Sequence, residues 1–249
     1  MQSVKSALHC IGISGGTRSV LGDLFGYLQG RVPADPDATV RASVSLTEHL
    51  KGLSGRHFHL NLIQVGMDTL SAGDLQTIRN KIDYSVYRTR NIYRAVNLGL
   101  GRVQHWEISA ADSGGRDDLG SGDEADDLTD EWSVPNDGID AFLVRNISAS
   151  DFIGTSPRPG DCDKGDKDDG LIAGERNLSF ETFSRTVAHE IGHFLNLKHT
   201  HGDDCPTTFA GRDNLMAQSR CSNSERTSVV LTSSQGATVR GRCQVHEGC

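Results

Sequence analysis

The stretch His189-Glu190-Ile191-Gly192-His193-Phe194-Leu195-Asn196-Leu197-Lys198-His199 decides the reading of this 249-residue chain. It lies at the end of a segment, Ser179 to Leu197, in which Phe180, Phe183, Val187, Ile191 and Leu195 recur at helical spacing behind Ser179 as a cap. At about 100° per residue, His189 and His193 fall one turn apart on the side opposite that apolar stripe, where two imidazoles can converge on one ion. Glu190 projects beside the pair, placed to take a proton from water on the ion rather than to bind the ion itself.

The full stretch resembles the metzincin clan of zinc metallopeptidases, whose motif sets a third histidine six residues after the second, where this chain has His199. The clan usually has Gly at the position of Asn196, because the helix stops there in a left-handed turn that brings the third imidazole back to the metal. Asn is the next most tolerant residue for that conformation. Asn214-Leu215-Met216 falls at a suitable distance for the clan's methionine turn, with core filling as the alternative role of Met216. The resemblance implies one catalytic Zn2+ on His189, His193 and His199, Glu190 as general base, and hydrolysis of peptide bonds in a protein or peptide substrate. Three neutral imidazoles leave a zinc position open, as a catalytic site requires and a closed four-ligand site does not.

Rival readings are few. His201 breaks the spacing of a third ligand, and Glu225 lacks the helix motif that would make it one in a gluzincin. All four tyrosines lie far upstream, so the tyrosine that some metzincins add after the methionine turn is not expected. Cys10 does not sit in the clan's known latency motif. From another class, a non-catalytic zinc-stabilised extracellular binding protein is the alternative, and retention of Glu190 argues against it.

Outward from the motif, His57 to Val65 suits a strand, and Ser71 caps a long amphipathic helix on Leu75, Ile78, Ile82, Val86, Tyr93 and Val96 that ends near Gly99. Val103 to Ser109 and Ile139 to Ile147 suit further strands, and Leu171 to Ala173 is a short apolar run. Asp112 to Glu131 is rich in Asp, Gly and Ser and reads as a solvated loop. Thr232-Ser233-Ser234-Gln235 has the form of a capping box opening a final helix toward Cys243, an ending similar to that of some secreted bacterial members of the clan. The expected fold is α+β and metzincin-like: a twisted mixed sheet, a backing helix and an active-site helix in an upper lobe, about 56–196, over a small irregular lower lobe, about 197–249. Residues 1–55, outside the resemblance, form an N-terminal segment of unclear role.

The formal charge of −8 and the scatter of Lys and Arg leave no basic stripe for nucleic acid. Mean hydropathy of −0.41 and the absence of a long apolar run exclude a membrane span, and a monomer is expected. Six cysteines, Cys10, Cys162, Cys205, Cys221, Cys243 and Cys249, form no Cys-x-x-Cys pair, which favours disulfides in an oxidising compartment over buried free thiols. The expected bridges are Cys205–Cys221 and Cys243–Cys249. Met1 to Gly16 carries no apolar core of a secretory signal, so a secreted protein is expected with its signal or pro-segment absent from this chain. Asp161, Asp163, Asp166, Asp168 and Asp169 do not fit an EF-hand; a solvated loop is the favoured reading, and Ca2+ is compatible but unsupported.

Overall fold

The computed structural model describes residues 55–148, 152–164, 169–175, 178–202 and 204–247. The fold is α+β, a mixed sheet with packed helices. Strand β1 (Arg56–Val65) leads to helix α1 (Ala72–Arg94), then β2 (Gly99–Ile108), a short β3 (Asp118–Leu119), helix α2 (Gly122–Glu131), β4 (Gly138–Val144), β5 (Asn146–Ile147), β6 (Gly154–Thr155) and β7 (Gly170–Gly174). Helix α3 (Phe180–Phe194) follows, and then short elements: α4 (Phe209–Arg212), α5 (Ser233–Arg240) and β8 (Val245–Glu247).

The sheet runs in the order β2-β1-β4-β7-β6; β1, β2, β4 and β7 are parallel, and β6 pairs antiparallel with β7 at the edge. Parallel strands buried on both faces read as continuous apolar runs, and β1 and β4 are buried almost throughout. One face carries Phe58, Leu60, Leu62, Ile139, Ala141, Leu143, Leu171 and Ala173 against α1 and α3. The other carries Ile63, Val65, Phe142, Val144 and Ile172 against Ala125 and Leu128 of α2. β8 pairs antiparallel with β1 over Arg56–Phe58, just before β4 takes over that side at His59.

The expected N-caps form: the side chains of Ser71, Ser179 and Thr232 accept the backbone N–H groups of Asp74, Thr182 and Gln235, and Gln235 completes a capping box. β2 begins four residues earlier than the expected strand. Two expectations are corrected. The stretch Asp112 to Glu131 is not loop throughout but contains α2: Ser121 accepts the Glu124 N–H, the Glu124 carboxylate accepts the Gly120 N–H, and the acidic first turn suits the positive end of the helix. Cys243 pairs with Cys162, 81 residues away, rather than with Cys249, which lies outside the described residues with Cys10, Asp166 and Asp168. The Cys205–Cys221 bridge forms as expected.

Candidate metal centre

Helix α3 packs Phe183, Val187 and Ile191 into the core against α1 and β7, which turns His189, Glu190 and His193 toward the residues that follow the helix. The helix ends as the sequence suggests. Asn196 has φ +72°, its N–H and that of Leu197 bond back to the carbonyls of His193 and Gly192, and the chain reverses to bring His199 beneath the pair.

The three rings converge. Nε2 of His199 lies 3.1 Å from Nε2 of His189 and 3.0 Å from Nε2 of His193. Nδ1 of His189 donates to the Leu215 carbonyl at 2.7 Å, and Nδ1 of His193 donates to the Leu197 carbonyl at 2.8 Å. With the proton fixed on Nδ1, each Nε2 turns a lone pair inward, the tautomer that a metal-binding imidazole needs. Burial is the main force lowering all three ring pKa values, to about 4 for His193, so the rings are neutral at physiological pH. The donor set therefore fits a divalent zinc-like ion with nitrogen ligands.

Glu190 is buried, and burial raises its pKa to about 8, with the Arg185 charge pulling the other way. Edge strand β6 lies directly against it: a Cβ placed on Gly154 would come within 3.0 Å of Glu190 Cγ and Oε1 and 2.7 Å of Thr186 Cγ2. Met216 is fully buried under α3, where a Cβ on Gly192 would meet its Sδ at 2.6 Å. Its N–H bonds Asn214 Oδ1 at 2.9 Å, and its carbonyl accepts the Thr200 N–H at 3.1 Å, which anchors the residue after His199.

The rivals are accounted for. His201 Nε2 accepts the Gln218 N–H at 3.1 Å, and Glu225 faces Arg185 at 3.6 Å. Arg185 itself escaped the sequence reading. One turn before His189, it is 1% exposed and donates to the carbonyls of Ser228 at 2.8 Å, Leu215 at 3.1 Å and Ala217. It thus shares the Leu215 carbonyl with His189 and ties the loop carrying Met216 to α3. The i,i+4 spacing from Arg185 to His189 was the available signal, since it puts both on one face.

A second group, His59, Asp137 and His246, also brings three donor atoms close together. Its hydrogen bonding is different. The Arg102 backbone N–H donates to His59 Nδ1 at 2.9 Å, which leaves the proton of the neutral ring on Nε2, 3.7 Å from Asp137 Oδ2. His59 then has no lone pair to offer an ion there, and the Arg102 guanidinium already occupies Asp137.

Two family models match the chain. One, described as metallo-peptidase family M12B reprolysin-like, covers residues 75–200; the other, peptidase M43, described as pregnancy-associated plasma protein-A, covers residues 160–243. A three-histidine centre on such a helix is that of a metzincin zinc metallopeptidase, a hydrolase acting on peptide bonds. The M12B model spans just over half of the chain, and the chain belongs to the M12B reprolysin-like metallopeptidases of that clan. No curated protein matches the sequence. Among solved structures, a chaperone–substrate complex is similar at 15% identity and TM-score 0.46, over 77% of this chain and 34% of that one. Archaemetzincin from Methanopyrus kandleri is similar at 15% identity and TM-score 0.45, over 74% and 94%. The chain spans about a third of the length of the first of these.

Proposed function

We propose that this protein is a zinc-dependent endopeptidase acting on proteins or peptides outside the cell, with zinc held by His189, His193 and His199. The observation that carries this reading is the convergence of three imidazole nitrogens, His199 Nε2 lying within 3.1 Å of Nε2 of both His189 and His193, whose Nδ1 atoms are committed to backbone carbonyls. Glu190 is the general base and Met216 the methionine turn. Residues 56–249 are the catalytic domain, divided near 196 into an upper and a lower lobe.

Zinc in this site supplies a Lewis acid for the scissile carbonyl and acidifies water. Glu190 accepts the proton of the attacking water and delivers it to the leaving amine nitrogen. A carboxyl lifted to about 8 by burial is a stronger base than a solvated one, and a dication held by the three imidazoles would favour its ionised form. The edge position of β6 beside Glu190 suits an extended peptide, which can add to the sheet through its backbone.

Two disulfides support an oxidising extracellular setting. No helix among the described residues is long and apolar enough to cross a membrane. The reading takes the protein as a monomer with no nucleic-acid partner.

Hydrolysis of casein by wild type and by Glu190→Ala, with bound zinc measured in both, tests the reading. The expected result is cleavage by wild type only, at about one zinc per chain in each, with the variant slower by roughly 10²–10⁴-fold. Zinc in both and cleavage by neither would make the protein a zinc-stabilised binding protein instead.

A further inference from the structure

A strap of chain, residues 154–160, is held at both ends against the part of α3 that carries Glu190 and His193. At its start, Gly154 lies against Glu190 and Thr186. At its end, the Gly160 N–H bonds the Phe194 carbonyl at 2.9 Å and the Gly160 Cα sits against the Phe194 ring, leaving no room for a side chain. The Gly160 carbonyl accepts from Arg242 Nη2 at 3.1 Å and Gln244 Nε2 at 3.3 Å, and the Cys162–Cys243 bridge follows two residues later. The strap therefore runs alongside the helix turn from Glu190 to Phe194, with both of its ends fixed.

Arg158 stands on this strap, two residues before Gly160, with an exposed side chain. No carboxylate is paired with it among the described residues. It lies close enough to His193 and His199 for its charge to be felt at both rings. On the deeper side of α3 the other cation, Arg185, is spent on buried carbonyls and Glu225. Arg158 is thus an exposed cation beside the proposed zinc site, on a segment anchored at both ends.

We propose that Arg158 is a specificity-determining residue that selects substrates bearing a carboxylate, an Asp or Glu side chain, close to the scissile bond. The proposal rests on the peptidase reading above. A guanidinium is suited to this role because its planar fork accepts a carboxylate through two parallel N–H donors and keeps its charge at any working pH. Exposure limits the strength of such a pair, so the selection is a preference rather than an absolute requirement.

The test is a set of matched peptides with Glu, Gln or Lys in turn at each of three positions on either side of a single cleavable bond. They are cleaved by zinc-loaded wild type, Arg158→Ala, Arg158→Lys and Arg158→Glu. Wild type is expected to favour Glu over Gln by about fivefold at one position, less at high salt, as suits an exposed ion pair. Arg158→Ala should bring that ratio close to one, Arg158→Lys should keep part of it, and Arg158→Glu should turn the preference toward Lys. A wild type indifferent to charge at every position, or an Arg158→Ala that keeps the preference, overturns the proposal. Binding of the same peptides to zinc-loaded Glu190→Ala, by fluorescence anisotropy, separates the two readings. If wild type cleaves no peptide but the Glu peptide still binds better than the Gln peptide in an Arg158-dependent way, the peptidase reading falls and the carboxylate selection stands.

Discussion

At Asn196 the backbone adopts φ +72°, a region that costs a side chain with a Cβ roughly 1–2 kcal/mol and that Asn tolerates better than most. The residue is where α3 stops and the third ligand turns back, so its conformation and zinc binding are linked. Asn196→Gly is expected to leave stability within a few tenths of a kcal/mol or raise it, while Asn196→Val should cost about 1–2 kcal/mol and weaken zinc retention. Urea unfolding of the zinc-loaded protein with a competitive chelator titration checks both. This residue was legible in the sequence because the motif fixed its neighbours: two histidines at i and i+4, a third six residues on, and between them a residue able to take a left-handed turn. For Arg185 the spacing to His189 showed a shared face but not its role. In sequence it is one cation in a helix of mixed polarity, and only the fold reveals that it is buried beneath three carbonyls.

The same Arg185 sets the expectation at the level of elements. It joins α3 to the loop of Met216, and removing its head leaves the carbonyls of Leu215, Ala217 and Ser228 without that donor, and Glu225 without its ion pair. Arg185→Met should destabilise by about 3–5 kcal/mol, the range for breaking one side of a buried charged network, and should loosen zinc because His189 leans on the same Leu215 carbonyl. The denaturation midpoint and zinc stoichiometry of the variant measure the two effects. Helices α1 and α3 were readable because each announces itself with a side-chain cap and an apolar repeat, and α5 by its capping box alone. α2 was hidden by its own composition: Asp and Glu dominate it, and its one-sided contact through Ala125 and Leu128 is too short to stand out as a period. Even so, Ser121 and Glu124 were present as a capping signal. The Cys162 partner could not be read because pairing follows the approach of the 156–164 segment to the chain after α5, a matter of tertiary topology rather than spacing.

For the molecule as a whole, acid should be more damaging than base in one defined window. His59 stands on β1 with its ring against β2, where Gly101 approaches it so closely that a Cβ there would lie 2.6 Å from Nδ1. Burial brings its pKa from 6.5 to about 4, with Arg102, His57 and His246 adding to the fall and Asp137 opposing it; His57 is lowered too, again mainly by burial. Groups whose folded pKa is depressed leave the unfolded chain binding more protons between the two values. The stability that these two histidines contribute is therefore full above about pH 6.5 and is lost as pH falls toward 4. Thermal unfolding of zinc-free wild type and His59→Gln at pH 7.5, 5.5 and 4.5 isolates that contribution: wild type should lose more stability than the variant as pH falls from 7.5 to 4.5. Opening the Cys162–Cys243 bridge with a double Ser replacement should cost roughly 4 kcal/mol, from the freedom that an 81-residue closed loop denies the unfolded chain.

That bridge also imposes an order on how the molecule is made. Synthesis runs from one end, so all three ligand histidines and Met216 emerge from the ribosome while Cys162 still awaits Cys243. A nascent chain halted at residue 240 would own every metal-binding side chain yet have no lock on the strap in front of them. The brace on the strap is then added only by an oxidation that follows synthesis of the ligands, and the cell compartment that permits it decides where a fully braced site first exists.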